Sequence, residues 1–297
     1  MAQNSGKPSC CPDGAWPALA SPESYEEKGA VLTLQGTQCY VSGSPVFGSG
    51  IIVMHDVFGP WTGNHKIVCD QLAAGGHYVV MPDFYEGGTI EPYYQANKAS
   101  EGKEWLKKFG WKHCNSKLEP VYAHLKEKGV SKVGSIGFCW GAWLVAKVCQ
   151  DPSRVQAGVW CHPSCQVARE LYEGESEHEL AAAVKSATLI LPSPQEPELY
   201  SNGELASIMN FNGIPNDMVY FEDQAHGWMT RAAGFLGKSW EACGGEVDVS
   251  AAVGMNRAVN LALGWYAKHL YQKADGKRLL NSCGEPPAKR AHTEGGA

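Results

Sequence analysis

A chain of 297 residues that is 44% apolar and 19% charged is long enough to bury a large core, as one α/β domain or as two smaller ones, and one domain is expected. A formal net charge of −6 without a clustered basic stripe argues against nucleic acid or an anionic membrane surface as partner. The first twenty residues lack a signal-peptide core and no run approaches the roughly 20 apolar residues needed to span a bilayer, so a soluble, cytoplasmic protein is expected.

In chain order, Met1 to Lys28 reads as an irregular N-terminal segment. Ala30 to Leu34 and Gln38 to Val41, separated by Gly36, predict a strand pair at one sheet edge. Ser49 to His55 is a continuous apolar run of the kind buried on both faces of a parallel sheet, and it empties into Asp56-Val57-Phe58-Gly59-Pro60. Asn64 to Ala74 predicts a helix closed by Gly75-Gly76, and His77 to Met81 predicts the next strand. Residues 84–115 are rich in glycine and aromatics and predict a covering segment with one helix near Ser100 to Phe109. A helix over Leu118 to Lys128 leads to the strand that ends at Gly137-Phe138-Cys139-Trp140-Gly141 and to a helix that Pro152 terminates. Strand Val155 to Cys161, a helix near Glu175 to Lys185, strands Ala187 to Leu191 and Met218 to Glu222, and a helix from Val253 to Gln272 complete the pattern. The polar stretch from Glu285 to Ala297 reads as disordered tail, giving a domain over 29–273 and a tail over 274–297.

Strand and helix alternate, which predicts a mainly parallel, doubly wound sheet flanked by helices. In such sheets chemistry sits at the carboxyl ends of strands. Asp56, Cys139, Glu196 and His226 all fall at predicted strand ends. Gly-x-Cys-x-Gly between a strand and a helix has the form of a nucleophile elbow, and the start of the helix favours a thiolate. Taken alone, that frame fits an inert buried cysteine equally well. Nucleophile, acid, histidine is nevertheless the chain order of the α/β-hydrolase fold. The eleven cysteines are odd in number and irregular in spacing, so free thiols are expected rather than a disulfide framework. Cys10-Cys11 and the Cys161-His162 and Cys165 group lack a second set of ligands at zinc spacing and read as incidental, so no metal is expected.

Gly137-Phe138-Cys139-Trp140-Gly141, His55-Asp56-Val57-Phe58-Gly59, Pro82-Asp83-Phe84-Tyr85 and Ala225-His226-Gly227-Trp228 together resemble the dienelactone hydrolases (carboxymethylenebutenolidases), in register over roughly Ala30 to Tyr271. The resemblance implies an α/β-hydrolase fold that cleaves an ester or lactone through a Cys-His-acid triad without metal or organic cofactor. It makes Cys139 the nucleophile, His226 the base, and the backbone N–H groups of Val57 and Trp140 the oxyanion pair. It also makes Asp56 the carboxylate that modulates the thiol, and Phe58, Tyr85, Trp228 and Arg231 the pocket. The aspartate that the family carries after strand Ala187 to Leu191 is missing, and Glu196 fits its place with Glu198 in reserve. The family's first substrate-binding arginine has no counterpart near Glu86-Gly87, and Arg231 stands one residue beyond the second, which favours a neutral ester or lactone over an anionic one. Two other classes stay open: a non-catalytic binding module for a small hydrophobic ligand or a protein partner, and a thiol redox protein. The second lacks a resolving cysteine beside Cys139 in sequence.

Overall fold

A computed structural model describes residues 10–18, 25–232 and 249–271. Its centre is an eight-stranded sheet in the order β1-β2-β4-β3-β5-β6-β7-β8, formed by Ala30–Leu34, Thr37–Gly43, Tyr78–Pro82, Ser49–Met54, Lys132–Phe138, Ala157–Cys161, Ala187–Leu191 and Asn216–Met218 respectively. β1 and β2 run antiparallel at one edge, as the predicted strand pair required, and from β4 to β8 every pairing is parallel.

The continuous apolar strands are buried on both faces because helices cover both. In β3, Ile52 and Met54 join one core with Leu118, Val121 and Leu125 of α4 (Trp111–Glu127) and Leu144 and Val145 of α5 (Trp140–Val148). Ile51 and Val53, one residue out of phase, join the other core with Val68 and Leu72 of α1 (His65–Ala74) and Ala258 and Trp265 of α10 (Val249–Leu270). That alternation is the period-2 pattern of a strand with an apolar layer on each side.

Several boundaries move. The helix expected from Leu118 begins at Trp111, after extended Gly110, and accommodates Pro120 within it. Residues 84–115 hold α2 (Glu91–Gln95) as well as α3 (Ala99–Leu106). Two short helices not expected from sequence, α6 (Val167–Tyr172) and α8 (Glu204–Phe211), flank α7 (Glu177–Ala183). The last strand is shorter and earlier than Met218 to Glu222. Beyond Met218 only single bonds continue the edge, Val219 N–H to Ile190 O (3.0 Å) and Phe221 N–H to Pro192 O (2.9 Å), as the chain turns toward a final short helix, α9 (Trp228–Arg231). Gln272 and the predicted tail lie outside the described residues. No helix among the described residues is long and apolar enough to cross a membrane.

Candidate active site

Phe138 is in register with Cys161, and Cys161 with Leu191, so β5, β6 and β7 end at one level and the loops that follow them share a floor. Cys139 leaves β5 with φ 53° and ψ −115°, a conformation that costs a side-chain-bearing residue about 1–3 kcal/mol and persists only where neighbours enforce it. They do so here. Cys139 N–H donates to Cys161 O (3.1 Å), and Cys139 O accepts from Ala142 N–H (3.2 Å) and Ser164 N–H (3.1 Å). The flanking glycines are obligatory: a β-carbon at Gly137 would meet Gly141 O at 2.4 Å, and one at Gly141 would meet His55 O at 2.4 Å.

His226 follows the sheet's last edge strand. Its N–H donates to Gln195 Oε1 (2.7 Å), and Gly227, at φ 88°, reverses the chain behind it. Nδ1 lies 2.5 Å from Glu196 Oε1. Glu196 itself is pinned by Ser193, whose backbone N–H donates to Oε2 and whose hydroxyl donates to Oε1 at 3.1 Å. This leaves the expected glutamate, one methylene longer than aspartate, curled back within a tight loop and on the imidazole. Glu198, the reserve, opens a short 3-10 turn instead.

The charge distribution follows from burial and pairing. Burial acts to raise the Cys139 thiol, but the thiols of Cys10 and Cys11 and the charge of His226 outweigh it and hold the group well below its ordinary range. For His226 burial acts downward, yet the sulfur of Cys139 and the carboxylate of Glu196 carry it up to about 9. Both shifts run in the direction of a thiolate beside an imidazolium. Nε2 is buried and makes no well-directed hydrogen bond, although it couples electrostatically to the sulfur. A second imidazole, His162, stands 5.1 Å from the His226 ring, and burial keeps it neutral.

The dienelactone hydrolase family model matches residues 38–270, the span that contains all of these groups except the two N-terminal thiols. The chain belongs to the dienelactone hydrolase family. A carboxymethylenebutenolidase homolog of Rattus norvegicus is 28% identical over 209 residues, covering 70% of this chain and 82% of the relative. Among solved structures, one assigned to the dienelactone hydrolases of Klebsiella pneumoniae superposes with a TM-score of 0.61 at 15% identity, over 81% of this chain and 98% of that one. The dienelactone hydrolase-like promiscuous phosphotriesterase P91, from metagenomic libraries, gives 0.50 at 18% identity, over 85% and 99%. The fold is accordingly the α/β-hydrolase fold, and the protein is a hydrolase.

In this dienelactone hydrolase-family chain Asp56 is not brought to the sulfur. Its Oδ1 accepts from Phe58 N–H (2.9 Å), its Oδ2 accepts from Thr230 Oγ1 (2.8 Å), and Oδ2 lies 3.0 Å from Arg231 Nε. The carboxylate is therefore a loop cap and counter-ion, and the sulfur instead points at Cys10 O (3.4 Å) and Ser164 Oγ (3.7 Å). Arg231, fully buried, is consumed by Asp56 and by Trp16 O (3.0 Å to Nη1), with Nη2 unpartnered. Trp228 is likewise not a pocket residue. It stacks on Phe221 at 4.5 Å and belongs to the core beneath the sheet. The amides of Val57 and Trp140 face no acceptor among the described residues, and the Trp140 N–H is the first of α5, where no intrahelical acceptor exists.

The expected pocket is filled by the chain itself. Cys10 and Cys11 are buried in one cluster with Phe58 and Tyr85, and Arg231 Nη1 contacts Cys11 Sγ at 3.4 Å. Trp16 N–H donates to His226 O (2.9 Å) and Gln195 Nε2 to Asp13 O (3.1 Å), tying residues 10–16 across the site. Beside them a cavity of about 400 Å³ reaches His226 and Glu196 between Pro12, Ser164, Gln195 and Glu198. Phe58, Tyr85, Trp228 and Arg231 do not line it. Sequence reasoning missed Ser164, Gln195 and the N-terminal cover; the adjacent Cys10-Cys11 with a nearby Trp16, apolar in an otherwise polar stretch, was the available signal.

Proposed function

We propose that the protein hydrolyses neutral carboxylic esters or lactones by acyl transfer to Cys139. The observation that carries the reading is the combination of a positive-φ cysteine at the end of β5 with an imidazole whose far nitrogen meets Glu196 at 2.5 Å. The thiolate attacks the carbonyl carbon, and the amides of Val57 and Trp140 take the developing oxyanion. His226, already protonated, donates its Nε2 proton to the departing alkoxide. The neutral imidazole then deprotonates water for attack on the thioester, and collapse of that adduct releases the acid and restores the thiolate–imidazolium pair. Glu196 orients the ring through Nδ1 and stabilises its cationic form. Neutral substrates are favoured because Arg231, the one cation at the expected carboxylate position, is balanced by Asp56.

The test is turnover of a simple aryl ester together with intact-mass detection of the acyl adduct. Hydrolysis and a Cys139-linked acyl group are expected, both absent in Cys139→Ala. Undiminished turnover in that variant would end the proposal. A carboxylated dienelactone should be hydrolysed more slowly than its methyl ester, and the reverse order would assign Arg231 to substrate recognition. A non-catalytic binding module draws on one observation, the complete burial of Cys139. An ordered ligand with no acyl adduct would favour it.

A further inference from the structure

The sulfurs of Cys10, Cys11 and Cys139 lie within 4.8 Å of one another, although 128 or more positions separate Cys139 from the pair in sequence. Among the described residues no other group of cysteine, histidine or acidic side chains converges in this way. Buried structural cysteines ordinarily keep apart among apolar neighbours, as Cys39, Cys114, Cys149 and Cys161 do here. Three thiols gathered on one strained elbow, one of them the chain's reactive sulfur, need a chemical explanation.

The geometry points to a hydroperoxide-responsive modification site in which Cys139 is oxidised and Cys11 resolves it as an intramolecular disulfide. The first step is attack of the Cys139 sulfur on the terminal oxygen of a hydroperoxide. The O–O bond breaks, the alkoxide or hydroxide leaves and takes the proton held by His226, and Cys139 becomes a sulfenic acid. In the second step the sulfur of Cys11 attacks the sulfur of Cys139, the S–S bond forms, the S–O bond breaks, and the departing hydroxide takes the proton of Cys11 as water. Two thiols and one hydroperoxide thereby give one disulfide, one alcohol or water, and one water, a two-electron oxidation.

Cys11 rather than Cys10 is assigned as the resolving thiol because the Arg231 guanidinium touches it at 3.4 Å. In the resting site the Cys10 thiol and that cation act downward, but the Cys139 sulfur and burial push the Cys11 thiol up to about 12, and oxidation of Cys139 removes the opposing sulfur charge. Among the described residues Arg231 makes no hydrogen bond to the Cys10 sulfur, and the Cys10 carbonyl instead receives the hydrogen bonds of Cys139 and Ser164. The sulfurs require only a short approach, since the segment carrying Cys11 is already docked through Trp16 and Asp13. Once formed, the bond would fasten that segment over the site and remove the nucleophile reversibly, where an unresolved sulfenic acid goes on to irreversible forms.

The proposal rests on Cys139 being the reactive thiolate, as the hydrolase reading has it, but its readout requires no substrate. The full-length reduced protein is treated with one equivalent of hydrogen peroxide, remaining thiols are alkylated, and the peptides are mapped by mass spectrometry. A Cys11–Cys139 linked peptide and recovery of free thiols with dithiothreitol are expected. In Cys11→Ser the link should fall by roughly tenfold or more, and a sulfenic-acid probe should then label Cys139. In Cys10→Ser the Cys11–Cys139 link should persist. A wild-type protein that stops at labelled sulfenic acid without the link, or that does not react at all, overturns the proposal, as does a link from Cys139 to Cys10 that survives Cys11→Ser. An ester assay on the same samples keeps the two readings apart: a disulfide without hydrolysis sinks the enzyme reading alone, and hydrolysis without a disulfide sinks this one alone.

Discussion

Two buried charge clusters sit at the carboxyl ends of the strands, and they differ in which group is left without a hydrogen bond among the described residues. After β3, Asp56 caps Phe58, accepts from Thr230 and pairs with Arg231, so the carboxylate is taken up and the unpartnered atom is Nη2 of the guanidinium. After β5 and the last edge strand, the sulfur of Cys139, on a backbone held in a conformation that costs energy, shares its site with His226, whose Nε2 has no hydrogen bond. The first cluster resembles a structural ion pair. The second leaves the imidazole Nε2 without a hydrogen bond next to the sulfur of a strained elbow, the arrangement the proposed acyl transfer requires.

The comparison breaks most sharply at Cys139. Cys139→Ala should lower ester turnover by about 10⁴-fold or more, as loss of a covalent nucleophile does, while thermal denaturation shows the fold retained. His226→Gln removes the cation beside the sulfur, so the thiol should titrate at higher pH than in the wild type, read by ultraviolet thiolate absorbance. An unmoved titration would mean that the thiols of Cys10 and Cys11, not the imidazole, hold the Cys139 thiol down. Glu196→Gln should slow turnover by roughly 10²-fold with little change in KM, because Gln195 still holds the His226 backbone N–H while the ring loses the carboxylate that orients it and favours its charged form. The smallest effect on the reactive cluster belongs to Asp56→Asn. It should cost about 3 kcal/mol in denaturant unfolding by leaving Arg231 unpaired in the interior, and leave the thiol titration where it was. A shifted titration there would restore Asp56 as a modulator of the thiol.

Much of this organisation was legible in the sequence, for identifiable reasons. Continuous apolar runs such as Ile51 to Met54, short and bounded by glycine and polar residues, are of the kind found in strands covered on both faces, and Gly137 and Gly141 announce a turn where backbones nearly touch. Glu196 was legible by its distance from the end of β7, though the sequence holds nothing to say that Ser193 would curl it onto His226. What stayed hidden was non-local. No pattern near Asp56 reveals that Arg231 lies against it, and Trp228, next to a histidine in sequence, falls beneath the sheet because the short helix α9 turns it inward. Cys10 and Cys11 looked incidental because their partner is far along the chain, and only docking of the N-terminal segment creates the cluster.

The central claim is that Cys139 rests as a thiolate paired with a protonated His226. The most direct measurement is thiolate absorbance against pH, taken as wild type minus Cys139→Ser, which needs neither substrate nor access to the buried sulfur. The account predicts thiolate already present at neutral pH, lost only as the pH falls through a value well below the ordinary cysteine range, with His226 giving up its proton near pH 9. A single rise centred on the unperturbed value of about 8.5 would contradict it.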